Sequence, residues 1–252
     1  MNRMWNLNGC TAVVSGGSKG IGKATVIELL NLGAKVIFTA RKEEDIKELE
    51  NELQKKNFDV KGLVADVSVQ KDRDIILEEV RSKWEKLDIL VHNAGINIRK
   101  KANEYTEEEY RKILEINLFS PFELSRMLYP LLKKSSGGTV INVASVAALQ
   151  DVGTGTPYAM SKAGLLQQTR SLAVEWAIDG IRVNAVSPWF TETPLTQGYL
   201  YQEENIVNIL KRTPLKRVAK AGEIANIIAF LAMEKSSYIT KPKYSSRWGN
   251  DN

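Results

Sequence analysis

The chain has 252 residues, 43% apolar and 26% charged, which suits one large domain burying roughly 70% of its unfolded surface without disulfide staples. No apolar run approaches the ~18 residues of a bilayer crossing. The lone Cys10 can form neither an intramolecular disulfide nor a cysteine-based zinc site, and no apolar leader opens the chain. A reduced, cytoplasmic protein with no membrane partner and no metal is therefore expected. The net charge of +5 does not mark a nucleic-acid partner, because bases and acids interleave, as in Arg41-Lys42-Glu43-Glu44-Asp45.

In chain order, Thr11 to Ser15 forms an apolar β-branched strand. Gly16, Gly17, Ser18, Lys19, Gly20, Ile21 and Gly22 follow it directly, ahead of a helix-period stretch reaching Leu32. Glycines there let the backbone approach a pyrophosphate, whose charge meets the free N–H groups and positive dipole end of the helix. Lys35 to Ala40 reads as a second strand, and further strands fall at 60–65, 89–92, 139–143 and 181–186, each followed by apolar residues at three and four spacing. Strands with no polar side need cover on both faces, so a single Rossmann-type α/β domain is expected over residues 1–240, a doubly wound parallel sheet of six strands with helices on both faces. A carboxylate for a ribose 2′-hydroxyl usually ends the second strand of such a site, but Ala40 and Arg41 stand there. With Arg41 and Lys19 available for a 2′-phosphate, NADP(H) is favoured over NAD(H). Asp66 and Val67 end the third strand, where Asp66 can accept from an adenine amino group or cap the next helix.

Tyr158 and Lys162 stand four apart at the start of a helix over about 157–178, so both side chains share one face. An ammonium beside a phenol stabilises the phenolate and lowers its pKa from the ordinary ~10, which makes such a tyrosine a usable general acid or base. Ser145 ends the fifth strand at the same sheet edge and can hold a substrate oxygen for Tyr158. Asn117 lies on the apolar stripe of the helix that Thr106 opens with Glu109 as its capping-box partner. Pro121 lacks the N–H that would bond the Asn117 carbonyl. The helix is expected to kink and leave that oxygen to a water, the start of a proton relay next to Lys162.

Together the glycine turn, Asn93-Ala94-Gly95 after the fourth strand, Asn117, Ser145 and the Tyr158–Lys162 pair resemble the short-chain dehydrogenase/reductases over about residues 7–240. The resemblance implies that Ser145 polarises a carbonyl, Tyr158 is the general acid or base, Lys162 also binds the nicotinamide ribose, and Asn117 holds the relay water. It implies that Asn93, Ala94 and Gly95 line the cofactor cleft, and that Pro188, Trp189 and Thr191 flank the nicotinamide. Trp5 with Leu7, the glycine turn, residues 172–176 and Thr213-Pro214-Leu215 are similar to the tropinone reductases and their homologues. Ser15 stands where Thr is common, His92 where a second Asn is usual, and Trp189 where most members have Gly. His92, the only histidine, reads as a packed strand-end residue.

The expected activity is NADPH-dependent reduction of a ketone to a secondary alcohol. One alternative is a 3-oxoacyl-[acyl-carrier-protein] reductase; Ser135, Ser136 and Asp179 stand where docking cations are expected, though Lys133 and Lys134 can substitute. Another is a non-catalytic NADP(H)-binding regulatory protein, against which the intact catalytic set argues. Candidate pocket walls are Ile96, Ile98, Val146, Val152, Trp189, Phe190, Leu195 and Tyr199, which imply a mostly apolar carbonyl substrate. The segment 191–212, interrupted by Pro194 and Gly198, is a candidate lid over the strand ends. The resemblance also implies a homodimer or homotetramer built on the helices that bear Tyr158 and Asn117. After Thr240, family members carry Gly-Gln, an apolar strand and Asp-Gly-Gly, whereas here the polar run 241–252 follows. It is expected to be a mobile tail that leaves the sixth strand as an uncovered edge.

Overall fold

Strands of Val, Ile, Ala and Thr that are apolar on both sides can only be stable between two layers of helices. The computed structural model, which describes residues 5–240 and 243–245, shows that arrangement. Its first half comprises β1 (Thr11–Ser15), α1 (Gly20–Asn31), β2 (Lys35–Ala40), α2 (Glu43–Gln54), β3 (Val60–Val64), α3 (Gln70–Lys83) and β4 (Ile89–His92). Then come α4 (Glu107–Leu114), α5 (Ser120–Lys133), β5 (Thr139–Val143), α6 (Thr156–Glu175) and β6 (Arg182–Ser187). These strands pair in parallel in the order β3-β2-β1-β4-β5-β6, so the winding reverses between β1 and β4. Alternation along β1 divides the core: Ala12 and Val14 join Phe38, Leu29 and Ile228 on one face, and Val13 joins Ile37, Leu90 and Leu128 on the other.

Beyond β6 the chain forms β7 (Thr191–Glu192), α7 (Pro194–Leu200), α8 (Glu203–Lys211), β8 (Ala219–Lys220) and α9 (Ala221–Ala232). The segment 191–212 is thus largely helical, with a small core of its own from Phe190, Leu200 and Ile209. No helix among the described residues is long and apolar enough to cross a membrane.

One sheet edge differs from expectation. Lys243–Ser245 forms β9, parallel to β6, with Lys243 opposite Ala185, Tyr244 opposite Val186 and Ser245 opposite Ser187. The edge of β6 is therefore covered along this stretch. Its main-chain N–H and C=O groups can pair with any extended segment whatever the side chains, so a tail without strand patterning still serves. The expected mobility of 241–242 and 246–252 lies outside the described residues.

Near Asn117, where a kink is expected, the helical hydrogen bonding changes. α4 opens as the capping box predicts: Glu109 N–H donates to Thr106 Oγ1 at 3.3 Å and Thr106 N–H donates to Glu109 Oε2 at 3.0 Å. Glu115–Phe119 then widens into a π-helical turn, closed where the Ser120 N–H reaches the Glu115 carbonyl, before Pro121 starts the next helix.

His92 ends β4 fully enclosed, its Nε2 2.7 Å from Ser125 Oγ on α5. Burial pushes its pKa down to about 3, from the ordinary 6.5. The unfolded chain therefore binds a proton across that window while the folded chain does not, and stability is lost as pH falls from 6.5 towards 3. His92→Asn is expected to flatten the decline in urea midpoint between pH 6.5 and 4. An unchanged slope would count against a neutral buried imidazole.

Candidate active site

Because the winding reverses between β1 and β4, their carboxyl ends diverge and leave a crevice. Ser15 and Asn93 close its floor. Ser15 Oγ accepts from the N–H groups of Asn93 and Ala94 at 3.1 and 3.2 Å, and Asn93 Nδ2 donates to the Ser15 and Gly16 carbonyls at 3.2 and 2.8 Å. The glycine turn sits on this floor. Gly22 packs so tightly that a Cβ would stand 2.1 Å from the Gly16 oxygen. Gly16 itself turns at φ +66°, in the left-handed region. α1 begins at Gly20 without a side-chain cap, so its first N–H groups are free to face an anion.

A cavity of about 510 Å³ runs from this turn along the strand ends. Of the residues expected to hold a dinucleotide, Gly16, Ser18, Lys19, Gly20, Ile21, Arg41, Asp66, Val67, Asn93, Ala94, Gly95, Tyr158, Lys162, Pro188, Trp189 and Thr191 line it. Gly22 does not; it lies beneath the turn as a packing position. Asp66 does not cap the next helix, whose N-cap is Val69 without a side-chain cap. Asp66 Oδ1 accepts from Ser68 N–H and Oγ at 3.0 and 2.6 Å, fastening the turn before α3, while its Oδ2 stands 4.0 Å from Arg41. Among the wall residues not foreseen, Asp45 on α2 pairs with Lys19 at 2.8 Å.

The catalytic candidates gather at the other end. Ser145 caps a short turn, accepting from the Ala147 N–H at 3.1 Å, and shares a side-chain hydrogen bond with Tyr158. Lys162 is buried, donates to the Val143 carbonyl at 2.8 Å, and lies 5.8 Å from the Tyr158 ring centre. Burial pushes the Lys162 ammonium down to about 8. Burial also pushes the Tyr158 phenol up, against smaller downward pulls from the Ser145 hydrogen bond and the Arg99 charge. Lys162, expected to lower it, is not among the causes of that shift; its ammonium donates to the Val143 carbonyl. Asn117 is fully buried behind the cavity wall. It clamps Ile96, donating to its carbonyl and accepting from its N–H, both at 2.9 Å, and donates to Ser161 Oγ at 3.1 Å.

Of the expected substrate walls, Ile96, Val146, Val152, Trp189, Phe190 and Leu195 line the cavity, whereas Ile98 and Tyr199 do not. The carbonyl of Ile98 is held by the Tyr105 hydroxyl, and it is Asn97 and Arg99, on either side, that line the cavity. Tyr199 stands one layer out, its ring stacked 5.8 Å from Phe190 and 4.7 Å beneath the Arg99 guanidinium. Asn97, Arg99 and Thr154 are polar lining residues that the apolar reading of this pocket missed.

Residues 16–244 match the family described as enoyl-(acyl carrier protein) reductase. A tropinone reductase homolog of Arabidopsis thaliana is 42% identical over 240 residues, covering 95% of this chain and 91% of that protein. A tropinone reductase homolog of Datura stramonium is 39% identical over 243 residues, covering 95% of this chain and 91% of its own. Among solved structures, L-sorbose reductase from Gluconobacter frateurii, complexed with NADPH and L-sorbose, superposes with a TM-score of 0.91 at 28% identity, covering 98% of each chain. A gluconate 5-dehydrogenase from Burkholderia cenocepacia, in complex with NADP and tartrate, gives 0.92 at 25% identity, covering 98% of this chain and 96% of that one.

Packing under the glycine turn can be tested directly. Gly22→Ala forces a methyl group against the Gly16 carbonyl and is expected to cost about 1–3 kcal/mol in urea unfolding. A variant as stable as the parent would show that the turn can give way.

Proposed function

Because the chain belongs to the short-chain dehydrogenase/reductase family, we propose that it is an NADP(H)-dependent, tropinone reductase-like enzyme that reduces a small-molecule ketone to a secondary alcohol. The observation that carries this reading is one cavity with the glycine turn at one end and Ser145, Tyr158 and Lys162 at the other. The residues fit the cofactor. The free N–H groups at the start of α1 suit a pyrophosphate, Lys19 and Arg41 a 2′-phosphate, and Asn93 to Gly95 a ribose packed close against backbone.

When bound, the nicotinamide supplies the hydride. The chain's own residues manage the oxygen of the ketone. Ser145 donates a hydrogen bond to it, and Tyr158 gives up a phenolic proton that burial keeps in place at neutral pH. The resulting phenolate is stabilised by Lys162, an ammonium below about pH 8, and by the charge of Arg99. The Asn117 carbonyl, which Pro121 cannot bond, is the anchor for a water through which Lys162 recovers a proton.

The carrier-protein alternative is weakened by Lys133, whose ammonium is engaged 2.7 Å from Asp179. Exposed Phe119 and Phe122 beside α5, with Met160, Val174 and Ile178 on and after α6, support a homo-oligomer formed through those helices.

Tyr158→Phe is expected to lower kcat by about 10²-fold or more, followed as NADPH absorbance with cyclohexanone. Undiminished turnover would remove Tyr158 as the acid. For the cofactor, Asp45→Asn takes a carboxylate away from Lys19 and is expected to tighten NADPH binding by about 3-fold to 10-fold while leaving NADH unchanged. Equal affinity of the parent for NADH and NADPH would overturn the roles of Lys19 and Arg41.

A further inference from the structure

The cations along the cavity differ in one respect. Lys19 is paired with Asp45, Arg41 faces Asp66, and Lys100, just outside, is paired with Glu109. Arg99 has no ion-pair partner among the described residues, and its Nε is buried without a hydrogen bond. Two positions earlier on the same loop, Asn97 Oδ1 is likewise buried and unpartnered, and both side chains line the cavity. Burying a donor and an acceptor with nothing to bond is costly, and such orphans at a binding site point to what the ligand supplies.

The guanidinium contacts narrow the choice. Arg99 lies 4.7 Å over the Tyr199 ring in a cation–π contact, and the N–H edge at its Nε has no hydrogen-bond partner. A planar group accepting two parallel hydrogen bonds fits that edge. At the substrate end the described lining residues include two cations without an ion-pair partner, Lys162, whose ammonium donates to the Val143 carbonyl, and Arg99, so one guanidinium is left for a ligand, which suits a single negative charge better than a phosphate. Arg99 is also near enough for its charge to act on the Tyr158 hydroxyl, so the anion belongs to the same small molecule as the reacting carbonyl.

We propose that the substrate is an oxo acid: its carbonyl sits at Ser145 and Tyr158, its carboxylate takes the free edge of Arg99, and a hydroxyl or N–H of the same molecule donates to Asn97. Val146, Val152 and Leu195 cover the hydrocarbon between. This refines the apolar substrate expected from the wall residues and rests on the ketone-reducing reading above.

The test uses the full chain with NADPH and compares 4-oxocyclohexanecarboxylate with its methyl ester. The acid is expected to exceed the ester in kcat/KM by about tenfold or more, Arg99→Gln to bring that ratio close to one, and Arg99→Lys to retain part of it. In parallel, calorimetry follows cyclohexanecarboxylate, which has no ketone, binding to the NADPH complex. Arg99→Gln is expected to weaken it by about tenfold. A ratio near one in the parent, or unchanged carboxylate binding in the variant, overturns the proposal. Equal loss on acid and ester does so too, and would make Arg99 a brace for Tyr199. Failure of the reductase reading looks different, as no NADPH oxidation with either ketone, and the calorimetric arm still decides the carboxylate site.

Discussion

Everything at the carboxyl edge of the sheet depends on the joint between Ser15 and Asn93. A doubly wound sheet leaves a gap where its winding reverses, and here that gap lies between β1 and β4. The Ser15 hydroxyl takes two backbone N–H groups from the β4 side, and the Asn93 amide bonds two carbonyls from the β1 side. Each strand end thus satisfies the other's loose backbone groups, which in a buried crevice is close to obligatory. With the floor fixed, the turn above it has one course, and Gly22 can lie directly against Gly16. The start of α1 and the loop carrying Gly95 then face each other across a cavity of set width.

Burial then shapes the chemistry by pushing two neighbours in opposite directions. It raises the Tyr158 phenol and lowers the Lys162 ammonium to about 8, so in the resting site both are pushed towards their neutral forms. On the proposed reading, proton donation by Tyr158 would reverse the balance, because a phenolate created there would lie close to two cations, Lys162 and Arg99. In a water-poor pocket that attraction acts on the developing charge more than on the resting phenol. The Val143 carbonyl holds the ammonium in place meanwhile, so little rearrangement is needed.

Sequence periodicity was a good guide wherever burial imposes it. All six central strands lie within one residue of their expected limits, because a strand covered on both faces must be apolar throughout. The capping box of Thr106 was legible too, and so was a break in regular α-helical bonding before Pro121, which takes the form of a π-helical turn. What escaped notice depends on three-dimensional neighbours. β9 is held by main-chain pairing, which leaves no mark on side-chain pattern. Asp45 reaches Lys19 from another helix, across 26 positions of sequence. In the loop after β4, Arg99-Lys100-Lys101 looks like a solvated charge run, and only Lys100 pairs with a partner on α4. That Arg99 turns inward was signalled by nothing except its nearness to Asn93.

The polar end of the cavity and its covering helices are mechanically joined. α7 and α8 rest on Phe190, Leu200 and Ile209, a cluster separate from the two main cores, so little else in the apolar interior ties them down. A ladder of flat groups adds to that anchorage: Arg99 over Tyr199, Tyr199 stacked on Phe190, and Phe190 edge-on to Trp189 at 5.0 Å. Trp189 closes it by donating from Nε1 to Thr213 Oγ1 at 2.9 Å. On the proposal above, a group bound to the N–H edge of Arg99 would fix the guanidinium and so steady the first rung. Filling the polar end and seating the helices over the strand ends would then, on that proposal, favour each other. On the same reading, the contacts that would select the ligand would also keep water from the carbonyl during proton transfer.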